Sequence, residues 1–99
     1  MNKDVIYGVD GKPYLEVRWK CINDICIIEI DSLKPELRTF LENNILKPFK
    51  QCGINIDGNK VICIASPSTK QKILDTTKDV ANVSSFAVWI EKSILNLFK

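Results

Sequence analysis

The chain predicts an α+β fold, an antiparallel sheet of about five strands with two to three helices packed on one face. Residues 1–99 form a single domain in this reading, a length at which one hydrophobic core suffices. Three observations predict the fold. Residues 15–21 alternate apolar and polar side chains with the period of a half-buried strand. Residues 54–66 repeat strand character on either side of Asp57-Gly58, a turn dipeptide. Elsewhere apolar residues recur at spacings of three and four, as on a helix lying against a core.

The first strand is "VIYGV", ended by the turn signal "DGKP". A three-residue connection sets Val5 and Tyr7 beside Val17 and Leu15, and a two-residue connection substitutes Ile6, so both registers stay open. The second strand, "YLEVRWKCI", places Leu15, Val17, Trp19 and Cys21 on one face and Glu16, Arg18 and Lys20 on the other. The third, "ICIIEID", divides Cys26, Ile28 and Ile30 from Ile25, Ile27 and Glu29. With Asn23-Asp24 as a two-residue hairpin loop the register follows. Trp19 faces Ile28, Val17 faces Ile30, Cys21 faces Cys26, and Arg18 falls opposite Glu29 as a favourable charge pair. A slip of one residue breaks all of these together.

A helix is expected from Ser32 as N-cap, with Pro35 and Glu36 in the first turn. Its apolar stripe is Leu33, Leu37, Phe40, Leu41 and Ile45, and Pro48 ends or kinks it near Lys47. Phe49, Cys52 and Gly53 complete that segment. The second hairpin follows, and its Val61–Ala65 strand is apolar on both faces, which suits a central position. Ser66 with Pro67, or Ser68, starts a helix to about Val80 that carries Ile73, Leu74 and Thr77 inward. A break at Ala81-Asn82 leads to a last helix with Phe86, Trp89, Ile90, Ile94 and Leu97 on one broad stripe. Val88 and Leu95 lie on its far side beside Glu91 and Lys92, a surplus of apolar surface and a candidate partner contact.

The functional repertoire is narrowed by what the composition omits. No histidine is present, which removes Cys–His and Ser–His activation of a nucleophile and the commonest neutral metal ligand. No Gly-rich phosphate loop occurs. The net charge is only +2, and Arg18 and Arg38 are the only arginines among fourteen cations, so charge alone does not point to nucleic acid. The polar N-terminal residues are unlike a signal peptide, and no apolar run approaches a membrane span, so a soluble intracellular protein is expected.

The four cysteines admit several readings. Opposed residues at a non-hydrogen-bonded antiparallel site sit about 4.5 Å apart at Cα, the lower edge of the disulfide range. Cys21 and Cys26 are therefore either bonded to each other or packed as reduced core residues. Cys52 and Cys63 form a second candidate pair on which spacing decides nothing. A four-cysteine zinc site is a weaker alternative, because ten residues separate the second pair and no histidine assists. The C-x-x-C spacing of thiol oxidoreductases is absent.

Residues 76–94 resemble a helix-turn-helix through Val80-Ala81, Val83-Ser84 and Trp89-Ile90. Only Asn82 stands where such motifs place several residues and a glycine, and Lys92 is the sole early cation of the reading helix, which favours two core helices tightly joined. Lys70, Lys72, Lys78 and Lys92 are the candidate nucleic-acid contacts; on an ordinary helix they form a solvated surface. The sequon at Asn82 lacks a secretory setting, and Asp57 with Asn59 lacks the later carboxylate of a calcium loop.

Over its whole length the chain resembles the short proteins encoded by filamentous and rod-shaped viruses of crenarchaea. The features shared are a compact single domain, several cysteines, lysine and isoleucine in abundance, and no histidine. The resemblance implies a viral protein acting inside an archaeal host, where hyperthermophiles retain intracellular disulfides. It assigns no activity and carries over no functional residue. The function expected is a non-catalytic interaction protein that binds a protein partner or itself, with nucleic-acid binding through lysine-bearing helices as the alternative. A thiol- or zinc-dependent protein or other enzyme ranks below both, and no cofactor, metal or small-molecule substrate is indicated.

Overall fold

A computed structural model describes residues 1–55 and 60–80. Period-two alternation builds three consecutive strands, β1 (Asn2–Tyr7), β2 (Pro13–Ile22) and β3 (Ile25–Ser32). Two more follow, β4 (Cys52–Ile54) and β5 (Lys60–Ala65), and the five form one antiparallel sheet in the order β1-β2-β3-β5-β4. Helices α1 (Leu37–Leu41) and α2 (Pro67–Lys78) cover one face. The fold is α+β, with a five-stranded antiparallel sheet and two helices on one side among the described residues.

The β2–β3 hairpin has the register that its side-chain pattern dictates. Trp19 pairs with Ile28, Val17 with Ile30, Arg18 with Glu29 and Cys21 with Cys26. Asn23 takes φ 56° in the two-residue loop, a conformation Asn tolerates better than most residues. At β1 the structure chooses between the two open registers. Ile6 pairs with Leu15 and is buried, Asp4 faces Val17, and an irregularity follows at Tyr7. Val5 and Tyr7 consequently point to the opposite face. The connection beyond closes through Gly8 N–H donating to Lys12 O and Gly11 N–H donating to Gly8 O, with Gly11 at φ 77°. Asp10 Oδ1 accepts the Lys12 amide at 3.0 Å, and that bond holds the Asp10 carboxyl below its usual range.

The first helix starts later than an N-cap at Ser32 predicts. Ser32 is still strand, paired with Leu15, and the Leu33 amide donates to Tyr14 O. Cross-strand pairing thus outcompetes capping, and Leu33 is left exposed instead of inside the stripe. Leu37, Phe40, Leu41 and Ile45 are buried as their spacing requires. Past Leu41 the helix widens into a π-helical turn, Glu42–Leu46, closed by Lys47 N–H donating to Glu42 O. Asn44 Nδ2 takes the Phe40 carbonyl at 2.9 Å, the acceptor that its own amide uses in an α-helix.

Cys52 and Gly53 correct a second expectation. They do not finish the helical segment but form β4, pairing with Cys63 and Ile62, while Ile54 pairs with Val61. The Asn55 amide donates to Lys60 O, and the Asp57-Gly58 tip lies outside the described residues. β5 is an internal strand between β3 and β4, but its outer face is open, with Ile64 exposed.

Ser66 caps α2, its hydroxyl accepting the Thr69 amide at 3.3 Å, and Pro67 occupies the first turn. Ile73, Leu74 and Thr77 point into the core, where the Thr77 hydroxyl donates to Leu74 O at 2.6 Å. The stripe Phe86, Trp89, Ile90, Ile94 and Leu97, the surplus residues Val88 and Leu95, Lys92, the helix-turn-helix likeness past Val80 and the sequon all lie outside the described residues.

Candidate interaction surface

The described helices leave the other sheet face open, and its residues divide into two halves along the strands. One half is charged. Arg18 on β2 lies among three carboxylates, with Nη2 at 2.6 Å from Asp31 Oδ2, Nε at 3.1 Å from Glu29 Oε2 and Nη1 at 3.5 Å from Glu16 Oε1. Lys3 on β1 reaches Glu16 at 2.9 Å, and Lys60 on β5 reaches Glu29 at 3.6 Å. The network crosses four strands with three cations and three anions, so it presents no net charge. Hydrogen bonds donated to Asp31 and then to Glu29 hold Arg18 even more firmly protonated than usual. The Lys3 ammonium, bonded to Glu16, draws that carboxyl below its usual range.

The other half is apolar. Beyond Arg18 the open face continues with Ile22, Ile25, Ile27 and Ile64, brought together because Ile22 pairs with Ile25 and Ile27 with Ile64, while Ile62 lies opposite Glu29 at their edge. Ile22 and Ile25 are each 58% exposed, Ile27 41% and Ile64 59%. A shallow groove crosses this half between Lys20, Ile22, Asn23, Asp24, Ile25 and Ile27. Single exposed isoleucines are ordinary on protein surfaces, whereas a contiguous cluster marks a contact site.

The cysteines occupy the helix-covered side. Cys21 and Cys26 are bonded with Cα atoms 4.0 Å apart, as are Cys52 and Cys63 at the same Cα separation. The four therefore sit as two separate pairs across two hairpins, an arrangement that contradicts a four-thiolate zinc site. Among the described residues no group of three or more His, Cys, Asp or Glu converges as metal ligands. Cys26 and Cys63 are buried, Cys52 is half-buried and Cys21 is exposed.

A cleft of about 310 Å³ lies between the π-helical turn and the sheet, with Ile30, Leu41, Leu46 and Val61 inside and Arg38 and Lys60 at its rim. On α2, Lys72 and Lys78 are exposed and Lys70 is half-buried, with Asp75 between them on the same helix and bonded by Gln71. No described helix is long and apolar enough to cross a membrane.

Sequence periodicity placed Ile25 and Ile27 opposite the core side of their strand, yet the isoleucine cluster itself went unread. Its signal is present in Ile22, Ile62 and Ile64, but the β3–β5 pairing is needed to bring Ile62 and Ile64 beside the β2–β3 hairpin.

Comparison of the chain with protein-family models, with curated proteins and with solved structures finds no match.

Proposed function

We propose that the protein is a non-catalytic interaction module whose contact surface is the isoleucine half of the open sheet face. The observation that carries this reading is the clustering of Ile22, Ile25, Ile27 and Ile64 on one face, exposed together. Burying such a cluster against a partner removes apolar surface from water without requiring any change in the sheet. The neighbouring ion network is satisfied within the chain, so it demands no charged ligand. The lysines of α2 support a nucleic-acid surface less well, because Asp75 interrupts them and no arginine accompanies them for base contacts. Under the resemblance to small crenarchaeal viral proteins, the proposed setting is the interior of an archaeal host, and two bonded cysteine pairs accord with a hyperthermophile cytoplasm.

The test compares the immobilised wild-type chain with an Ile25→Lys/Ile64→Lys variant for retention of proteins from a host lysate and of the chain itself. Both sites are exposed, so the variant keeps its thermal midpoint. Loss of every retained protein from the variant supports the reading. Unchanged retention sinks it, and salt-dependent retention of DNA or RNA by both forms transfers the function to the lysines.

A further inference from the structure

Resting on the interaction reading above, we infer that the occupant of the isoleucine face is a second copy of this chain, related by a two-fold axis through the patch. Three features of the surface single out that occupant.

The first is charge. Lys20 and Asp24 border the apolar groove, both exposed, and neither side chain has an ion pair or hydrogen bond among the described residues. A two-fold axis through the patch brings Lys20 of one copy toward Asp24 of the other and repeats the contact in reverse, the signature of an isologous interface. The remainder of the open face carries equal numbers of cations and anions already bonded to each other. Like faces therefore meet without repulsion, whereas a polyanion or a strongly basic peptide finds no uncompensated field to bind.

The second is area. The four exposed isoleucines leave roughly 400 Å² of apolar surface, at the size where contiguous patches on monomers are contact sites. Two such patches supply about 800 Å², and the Lys20 and Asp24 margins raise the total toward the about 1,200 Å² at which specific interfaces begin. An interface of that size with an apolar centre and a polar margin gives a dimer that dissociates on dilution.

The third is the path of the chain. α2 begins at Pro67, capped by Ser66 directly after Ala65, whose partner across the sheet is Cys26 at the patch end. It then runs away from that end on the covered face, so that Leu74 and Thr77 lie beside Ile6 and Val17. The described chain thus leaves at Val80 on the opposite side of the sheet from the patch.

Sedimentation velocity of the full chain from about 1 μM to about 500 μM tests the inference. The wild type is expected to pass from monomer to dimer across that range. Ile64→Glu is expected to stay monomeric, a rise in dissociation constant of more than about tenfold. Lys20→Asp and Asp24→Lys are each expected to weaken the dimer, and the double swap to restore it, since it re-forms both pairs with the signs exchanged. A wild type that stays monomeric throughout, or a dimer indifferent to Ile64→Glu, overturns the inference. A monomer whose thermal midpoint falls on Ile64→Glu also overturns it and assigns the patch to cover from within the chain. If the wild type is monomeric while its capture of another protein still depends on Ile25 and Ile64, the interaction reading stands and only the second copy is refuted.

Discussion

Arg18 and Asp31, thirteen residues apart in sequence, meet at 2.6 Å on the open face, with the guanidinium Nη2 donating to the carboxylate. The contact lies diagonally across the β2–β3 pairing, because the residue directly opposite Arg18 is Glu29. A single side chain thereby bonds two successive open-face residues of β3 and draws Glu16 on its own strand into the same group. Arginine suits this place because its planar fork presents several donors in fixed directions.

Arg18→Met should accordingly be costly for a residue on the uncovered side of a sheet. Its removal leaves Glu16, Glu29 and Asp31 close together with only Lys3 and Lys60 to offset them. Partial exposure screens the repulsion, so a loss of about 1–2 kcal/mol is expected in urea unfolding. Arg18→Lys keeps the charge without the fork and should fall between the two. A midpoint unchanged in Arg18→Met refutes the structural role of the network.

Acid should weaken the fold partly through Glu16. Its carboxyl is held below the usual range, first by the hydrogen bond from Lys3, so the folded state binds a proton less readily there than the unfolded state. The stabilisation is present above the unfolded glutamate value and disappears as pH falls through the lowered folded value. Urea midpoints measured down the acidic range should therefore decline less steeply for Glu16→Gln than for wild type. Identical slopes remove Glu16 from the acid response.

The two bridges should differ under reduction. Cys21 is exposed and open to thiolate attack, whereas Cys63 is buried and Cys52 half-buried. Limited dithiothreitol followed by alkylation and peptide mapping should label Cys21 and Cys26 before Cys52 and Cys63. Replacing the first pair by serine should cost about 2 kcal/mol and the second about 3 kcal/mol, given their sequence separations of 5 and 11. Simultaneous labelling of all four would show that opening of the whole sheet controls access.

Gly8→Ala should disturb the first hairpin even though Gly8 is only partly buried. A methyl group there runs into the ring carbons of Tyr14, whose ring is also approached by Lys34 Nζ at 4.9 Å from its centroid. Tyr14 is itself buried, so its ring must shift, at a cost of about 1–3 kcal/mol. Near-ultraviolet circular dichroism should report the altered tyrosine environment, and an unchanged spectrum and midpoint would contradict the close approach.

What sequence periodicity could read was decided by range. The β2–β3 hairpin was legible down to individual pairs, because a two-residue loop and an alternating pattern leave one consistent register. α2 was equally legible from Ser66, Pro67 and its inward residues. Ser32 misled because serine serves both as a helix cap and as a strand end, and its contact with Leu15 is remote in sequence. Cys52 and Gly53 misled because a three-residue strand carries too short a pattern to register against a helix ending at Pro48. The isoleucine face was beyond reach for a related reason. Its members come from β2, β3 and β5, and the contact between β3 and β5 spans all of α1.

The placement of the bridges has a consequence for the order in which the sheet assembles. One joins β2 to β3 and the other joins β4 to β5, while the seam where Ile28 faces Cys63 and Ile30 faces Val61 carries no covalent link. An unfolded but oxidised chain is thus two clipped hairpins tethered through the α1 segment, each already near its own register. Refolding of the oxidised chain is then expected to wait on closing that tether so that β3 meets β5.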